Sequence, residues 1–171
     1  MENSEPVRLA RYAIEERVTN GRVLSIPEWV SRELRTMMAG CFVSIHKSDG
    51  ALRGCIGTLS PVTASLASEI IQNAVSSATR DPRFPPVEAE ELDELEITVD
   101  VLGEAEATAA EELDPKRYGV IVQHGWKKGV LLPDLEGVDT VDEQLRIALM
   151  KAGIGKSESY RIYRFTVRRY H

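Results

Sequence analysis

The chain has 171 residues, 43% hydrophobic and 28% charged, which is enough for a core of one domain or of two small lobes. Its net charge of −6 makes nucleic acid an unfavourable partner, because an acidic surface repels phosphate backbones. The sequence has no apolar run long enough for a membrane span and no basic-then-apolar leader, and its two cysteines suit a reducing compartment, so we expect a cytoplasmic protein.

Two helices are predicted at the start of the chain. Apolar residues at helical spacing predict the first from about Pro6 to Val18, and Gly21 marks its end. Ser25 and Glu28 have the spacing of a capping box, which predicts a second, shorter helix. Its inward-facing residues are expected to be Trp29, Leu34 and either Met37 or Met38.

A strand, a turn and a returning strand come next. Alternation of apolar and polar residues predicts a strand over 41–46, in which Cys41, Val43 and Ile45 share one face. The turn signal Ser48-Asp49-Gly50 then leads to a returning strand, Leu52 to Leu59. Ser60 as N-cap and Pro61 as first residue predict a helix. Its apolar stripe is Val62, Leu66, Ile70, Ala74 and Ala78, widened by Ala67, Ile71 and Val75.

The second half contains mostly strands. Arg80 to Pro86 has three prolines, which forbid a helix and favour a fixed, extended loop. Strands are predicted over 95–101, over 119–123 and 129–132 as a hairpin around Gly125, and over 163–167, with Tyr163, Phe165 and Val167 on one face. A helix with a capping box is predicted from Thr140, and Gly153 ends it. Because helices and strands do not alternate regularly, we predict an α+β fold with a mixed, largely antiparallel sheet and flanking helices.

Several common sites are excluded by inspection. The sequence has no Walker phosphate loop, GxGxxG, HExxH, GxSxG or CxxC motif. Two cysteines and three histidines do not have the spacing of a structural zinc site, so no metal and no cofactor are predicted. A phosphatase-like loop would need an arginine six residues after its cysteine, where Cys55 has Pro61 and Cys41 has Lys47.

The most unusual segment is Leu52-Arg53-Gly54-Cys55-Ile56-Gly57-Thr58. Glycine inside an apolar strand marks a bulge or a close approach by another backbone or a ligand. Strand periodicity places Arg53, Cys55 and Gly57 on one face. A thiol beside a guanidinium, with glycines opening access, is a setting that can lower the pKa of a cysteine. The alternative is that Cys55 is a small buried hydrophobe and Arg53 a structural ion pair.

This segment resembles the signature of the AMMECR-type domain family, which includes protein A of the AmmeMemoRadiSam system. Five further stretches match in order: 81–87, 95–102, 119–123, 131–133 and 151–153. The resemblance implies one domain over 1–171 with two intimately packed, unequal lobes and the signature near the cleft between them. It also implies a pathway shared with a Memo-like protein and a radical S-adenosylmethionine enzyme. Family members often have a cysteine just before Lys151, where this chain has Ala148, Leu149 and Met150.

Two hypotheses about function stay open. In the first, the protein is an enzyme or enzyme component that acts on a small molecule, with Cys55 as nucleophile or reactive thiol and Arg53 as anchor of an anionic substrate group. Asp81 and His124 are weaker candidates for moving protons. The remaining candidates are binding residues: Gly54, Gly57, Thr58, Arg80, Arg83, Gln123 and Lys151. In the second, the protein is a non-catalytic adaptor, monomeric or homodimeric, that docks on those partners.

Each candidate also has an ordinary structural interpretation. Asp81 and Arg83 could form an ion pair that stabilises the loop, and His124 could be a solvent-exposed turn residue without a task. Lys151 ends a helix, where a cation suits the helix dipole.

Overall fold

The computed structural model describes residues 3–171, which divide into two compact units, one up to Leu102 together with Arg168–His171 and the other Gly103–Val167. Its α-helices are α1 (Glu5–Asn20), α2 (Arg32–Thr36), α3 (Leu66–Thr79) and α4 (Val141–Ala152). Its strands are β1 (Cys41–Lys47), β2 (Leu52–Gly57), β3 (Leu95–Leu102), β4 (Glu106–Thr108), β5 (Gly119–His124), β6 (Lys127–Leu131), β7 (Arg161–Phe165) and β8 (Val167–Tyr170). The α+β prediction is confirmed. The expectations of one domain and of a cleft between lobes stay predictions.

Helix α1 begins and ends where the sequence predicts, within two residues. Pro6 lies in its first turn, and Gly21 ends it with φ of 66°, a left-handed conformation that glycine adopts without strain. The predicted stripe is inside, since Val7, Ala10 and Ile14 are fully buried.

Helix α2 does not begin at Ser25, and this prediction is wrong. Ser31 is the N-cap instead, because its Oγ accepts a hydrogen bond from the Leu34 N–H while its own N–H donates to the Glu5 carboxylate of α1. That tertiary contact decides between two competing capping residues. Leu34 is buried as expected, but Trp29, Met37 and Met38 are exposed, which corrects their assignment to the inward face.

The sheet of the first unit has the strand order β2-β1-β3-β8. Strand β1 pairs antiparallel with β2 and with β3, and its residues Cys41, Val43 and Ile45 are fully buried, as their alternation predicts. Helices α1 and α3 contribute to the same core. Strand β2 lies at the edge of this sheet, so it pairs with one neighbouring strand only.

Helix α3 begins later than predicted. Its N-cap is Ser65, whose Oγ accepts from the Ser68 N–H, and the proposed start at Ser60 and Pro61 is wrong. The physical reason is Glu69, whose carboxylate accepts hydrogen bonds from the backbone N–H groups at 62 and 63 and so holds that segment outside the helix. Consequently Val62 is 66% exposed and does not join the apolar stripe.

The second unit contains an antiparallel sheet of order β4-β7-β5-β6, against which α4 packs. The hairpin of β5 and β6 turns at Gly125, with φ of 57°, as predicted. Helix α4 has Thr140 as N-cap and ends at Gly153 in a left-handed conformation, also as predicted. The last predicted strand is divided at Thr166, because the Thr166 carbonyl accepts from the Gly103 N–H and β7 and β8 join different sheets. Val167 therefore does not extend the face formed by Tyr163 and Phe165.

Candidate functional site

The Arg53 side chain forms hydrogen bonds with residues of its own unit. Its Nε and Nη2 donate to the Glu91 carboxylate at 2.8 and 2.9 Å, and Nη1 and Nη2 donate to the carbonyls of Pro85 and Pro86 at 2.8 and 3.3 Å. Only 6% of the residue is exposed, and the hydrogen bond with Glu91 is the main cause that raises the pKa of the guanidinium. Arg53 therefore secures the proline-rich loop and the 3₁₀ turn that contains Glu91.

Cys55 is half-buried and is held by three neighbours. It lies opposite Ser44 in the register of β1 and β2, and the Ser44 Oγ donates to its Sγ at 3.2 Å. Its N–H donates to Asp81 Oδ2 at 3.0 Å, and its carbonyl accepts from Arg83 Nη2 at 3.4 Å. The cationic neighbour of Cys55 is therefore Arg83 of the loop, and the predicted pairing of Cys55 with Arg53 is wrong.

The pKa of the Cys55 thiol is raised above its ordinary value. Burial is the largest cause, because a thiolate loses hydration there. The Ser44 hydrogen bond and the Arg83 charge lower the pKa, the charges of Asp100 and Asp81 raise it, and burial prevails. The prediction of a lowered pKa is wrong, and the group is a neutral thiol at neutral pH.

Asp81 and Arg83 form a clamp between the proline-rich loop and β2. Arg83 donates through Nε and Nη2 to both carboxylate oxygens of Asp81, at 3.0 and 2.8 Å, and through its backbone N–H at 3.1 Å. These hydrogen bonds hold the pKa of Asp81 well below its usual range, and the one from the Arg83 side chain has the largest effect. Because Asp81 also accepts from the Cys55 N–H, its ionised carboxylate fixes the loop against the unpaired edge of the strand.

The glycines of the signature accommodate the protein itself. A Cβ on Gly54 would stand 2.3 Å from the backbone oxygen of Ser77 in α3. A Cβ on Gly57 would stand 2.3 Å from the Phe42 ring. The space beside both glycines is therefore occupied by the chain, and the prediction that they open a path to Cys55 is wrong.

Thr58 belongs to a buried polar network that was not predicted from the sequence. Its Oγ1 donates to Glu69 Oε1 at 2.5 Å and accepts from Asn73 Nδ2 at 3.1 Å. Thr63 Oγ1 donates to Glu69 Oε2 at 2.6 Å. Burial alone would raise the pKa of Glu69, but these and the backbone hydrogen bonds outweigh it and lower the pKa. A signal was available, since Glu69 and Asn73 lie at helical spacing within the apolar stripe of α3.

Arg80 lies apart from the clamp. It lines a different cavity of about 440 Å³, together with apolar side chains of α3 and of the segment 23–26. Although Arg80 is close to Asp81 and Arg83 in sequence, it lines this cavity, whereas the other two form the clamp.

The other candidates lie in the second unit. Gln123 and His124 line a cavity of about 380 Å³ at the end of the β5–β6 hairpin. The His124 Nδ1 lies 2.5 Å from the Ser159 carbonyl, so this nitrogen carries the proton. Lys151 Nζ donates to the Val130 carbonyl at 2.8 Å and so connects α4 with β6.

Within residues 3–171, no three His, Cys, Asp or Glu side chains gather into a group that could hold a metal ion. In the same part of the chain, no helix is long and apolar enough to cross a membrane. The contacts around Cys55 form a clamp of a thiol, an ion pair and backbone groups.

Sequence comparison identifies the family. The chain matches the AMMECR1 family over residues 7–170. It belongs to the AMMECR1 family. A relative from Thermotoga maritima is 54% identical over 166 residues, which are 96% of this chain and 95% of that protein. Protein CA_C1420 of Clostridium acetobutylicum is 52% identical over 165 residues, which are 96% of this chain but 35% of CA_C1420.

A solved structure has the same fold as this chain. The crystal structure of the uncharacterised protein PH0010 from Pyrococcus horikoshii superimposes with a TM-score of 0.87 at 34% identity, covering 96% of this chain and 88% of PH0010. This agreement confirms the α+β fold.

Proposed function

We propose that this AMMECR1-family protein is a non-catalytic binding protein that docks on a Memo-like protein and a radical S-adenosylmethionine enzyme. The observation that carries the proposal is the state of the signature. Arg53 is paired with Glu91 and two carbonyls, and Cys55 is a neutral thiol whose backbone N–H and carbonyl are occupied by Asp81 and Arg83. Polar groups that already have hydrogen-bond partners within the protein stabilise the fold and are less available to a substrate.

Two further observations support docking. The matched region is only 35% of CA_C1420, so in that protein it is one part of a longer chain, an arrangement that suits a module working beside other domains. In addition, Trp126 at the tip of the β5–β6 hairpin is 89% exposed. Exposing a large apolar ring such as indole to water is unfavourable, and tryptophan is among the residues that contribute most to protein interfaces.

The test measures the affinity of the purified Memo-like protein and radical enzyme for the full chain by calorimetry. We expect at least one of the two to bind, and Trp126→Ala to weaken that binding at least tenfold. Trp29→Ala is the matched control, because that ring is also exposed but already stacks on Arg8 at 4.7 Å. Cys55→Ala should leave affinity unchanged. If neither protein binds the wild-type chain, the docking proposal fails.

A second candidate is an enzyme or enzyme component that uses Cys55 on a small molecule. It is favoured by the half-buried position of the thiol and by the Arg83 guanidinium, which lies at the Cys55 carbonyl with its side chain 56% exposed. The measurement is pathway turnover with Cys55→Ser and Cys55→Ala. Loss of turnover in both, with partner affinity retained, would favour the enzyme over the adaptor.

We also propose that the protein is cytoplasmic. Cys41 and Cys55 are both free, as expected where thiols stay reduced. A fractionation experiment that found the protein outside that compartment would contradict this assignment.

A further inference from the structure

A row of three polar side chains crosses the sheet of the second unit. Gln123 on β5 pairs with Lys128 on β6 and with Arg161 on β7. Directly opposed residues of antiparallel strands point to the same face, with Cβ atoms about 5 Å apart. Val122 packs in the core formed with α4, so the row lies on the other face. Two cations therefore flank one amide on that face.

The charges of this row are not neutralised. Within residues 3–171, Arg161 and Lys128 form no ion pair and no side-chain hydrogen bond, whereas the neighbouring cations Lys127 and Arg164 are paired with Glu158 and Glu106. An arginine with five free donors beside a second cation is an unsatisfied site for an anion.

A cavity is lined by two members of the row, Gln123 and Arg161. Its volume of about 380 Å³ is in the range of small-molecule sites, and it is lined by Gln123, His124, Gly125, Ser159, Tyr160 and Arg161. None of these lining residues is a carboxylate. The nearest in sequence, Glu158, has an oxygen 3.6 Å from His124 Nε2, but its carboxylate also accepts from Lys127 Nζ at 2.9 Å and from the Gly155 N–H at 2.6 Å.

We propose that this cavity binds a small molecule that carries a phosphate or carboxylate group. The Arg161 guanidinium matches the two oxygens of such a group in a bidentate arrangement, and Lys128 adds a second positive charge from the adjacent strand. A concave site of this size favours a small oxyanion over an acidic segment of a protein. The inference concerns a different site from the Cys55 clamp and does not depend on docking.

The test measures the binding of pyrophosphate to the full chain by amide NMR and calorimetry. We expect saturable binding to one site with shifts at residues 123–125 and 159–161. Arg161→Gln and Lys128→Gln should each weaken binding at least tenfold, and Arg161→Lys should weaken it less than Arg161→Gln. Arg22→Gln is the matched control, since Arg22 is an exposed arginine of the first unit.

Three results would overturn the inference: non-saturable binding, equal losses in Arg22→Gln and Arg161→Gln, or binding of a glutamate-rich peptide but not of pyrophosphate. The outcome is separate from that of the partner test. If partner capture fails while pyrophosphate binds at this cavity, the oxyanion site stands and only docking is refuted.

Discussion

Replacing Gly54 by alanine tests whether the signature is built for packing or for access. The new Cβ would stand 2.3 Å from the Ser77 carbonyl oxygen, about 1 Å closer than an ordinary contact, and that oxygen belongs to the backbone of α3. Either β2 or α3 must shift, because a backbone oxygen cannot rotate away. Overpacking of this kind costs about 1–3 kcal/mol in the free energy of unfolding, which corresponds to a fall in Tm of roughly 3–10 °C for a chain of this size.

The assay is urea unfolding followed by circular dichroism, with thermal unfolding as a second measurement. Gly155→Ala is the matched control, because the nearest atom to its new Cβ would be Glu158 Oε2 at 3.6 Å and the residue does not have a positive φ. We expect a clear loss in Gly54→Ala and little change in Gly155→Ala. If Gly54→Ala unfolds at the wild-type urea concentration, the close approach of α3 does not explain this glycine.

Three further predictions concern buried polar groups. Arg53→Met should destabilise the fold by about 2–4 kcal/mol, since two carbonyls lose the Arg53 donor and the Glu91 carboxylate loses its cation. Tryptic cleavage after Arg83 should become faster, and an unchanged cleavage rate would argue against the loop role of Arg53. The folded-state pKa of Glu69 is lowered, so its ionised form stabilises the protein above roughly pH 4.5 and this stabilisation is lost on acidification. Glu69→Gln should therefore cost about 1–3 kcal/mol at pH 7 and make stability depend less steeply on pH in the acid range. An acid pH dependence parallel to that of the wild type would contradict the assignment. Iodoacetamide should modify Cys55 at a rate that still rises above pH 9. Cys41, whose pKa burial raises to about 12, should react only after unfolding. A pH–rate profile for Cys55 with its midpoint below pH 8 would refute the neutral thiol.

Local patterns were sufficient for much of the fold. The spacing of apolar residues predicted α1, β1, the β5–β6 hairpin and α4, because one face of each of these elements is buried and its period appears directly in the sequence. Capping failed at α2 and α3, where two serines competed for each start. Contacts with Glu5 in one case and with Glu69 in the other decided which position caps.

The candidate site was predicted less completely. The segment around Cys55 and the facing loop were found, and Asp81 and Arg83 do contact Cys55. The cationic partner was misassigned because strand periodicity predicts a shared face but does not reveal a competing acceptor. Glu91, 38 residues beyond Arg53, satisfies that guanidinium.

By itself, the sequence determined the family, the α+β class and the position of the unusual segment, since these depend on local order and composition. The tertiary structure alone decided what that segment does physically. The Ser77 carbonyl against Gly54, the buried Glu69 network and the Asp81–Arg83 clamp join residues from separate elements. Such contacts set burial and charge, and therefore the pKa of the Cys55 thiol, through distances that no spacing along the chain encodes.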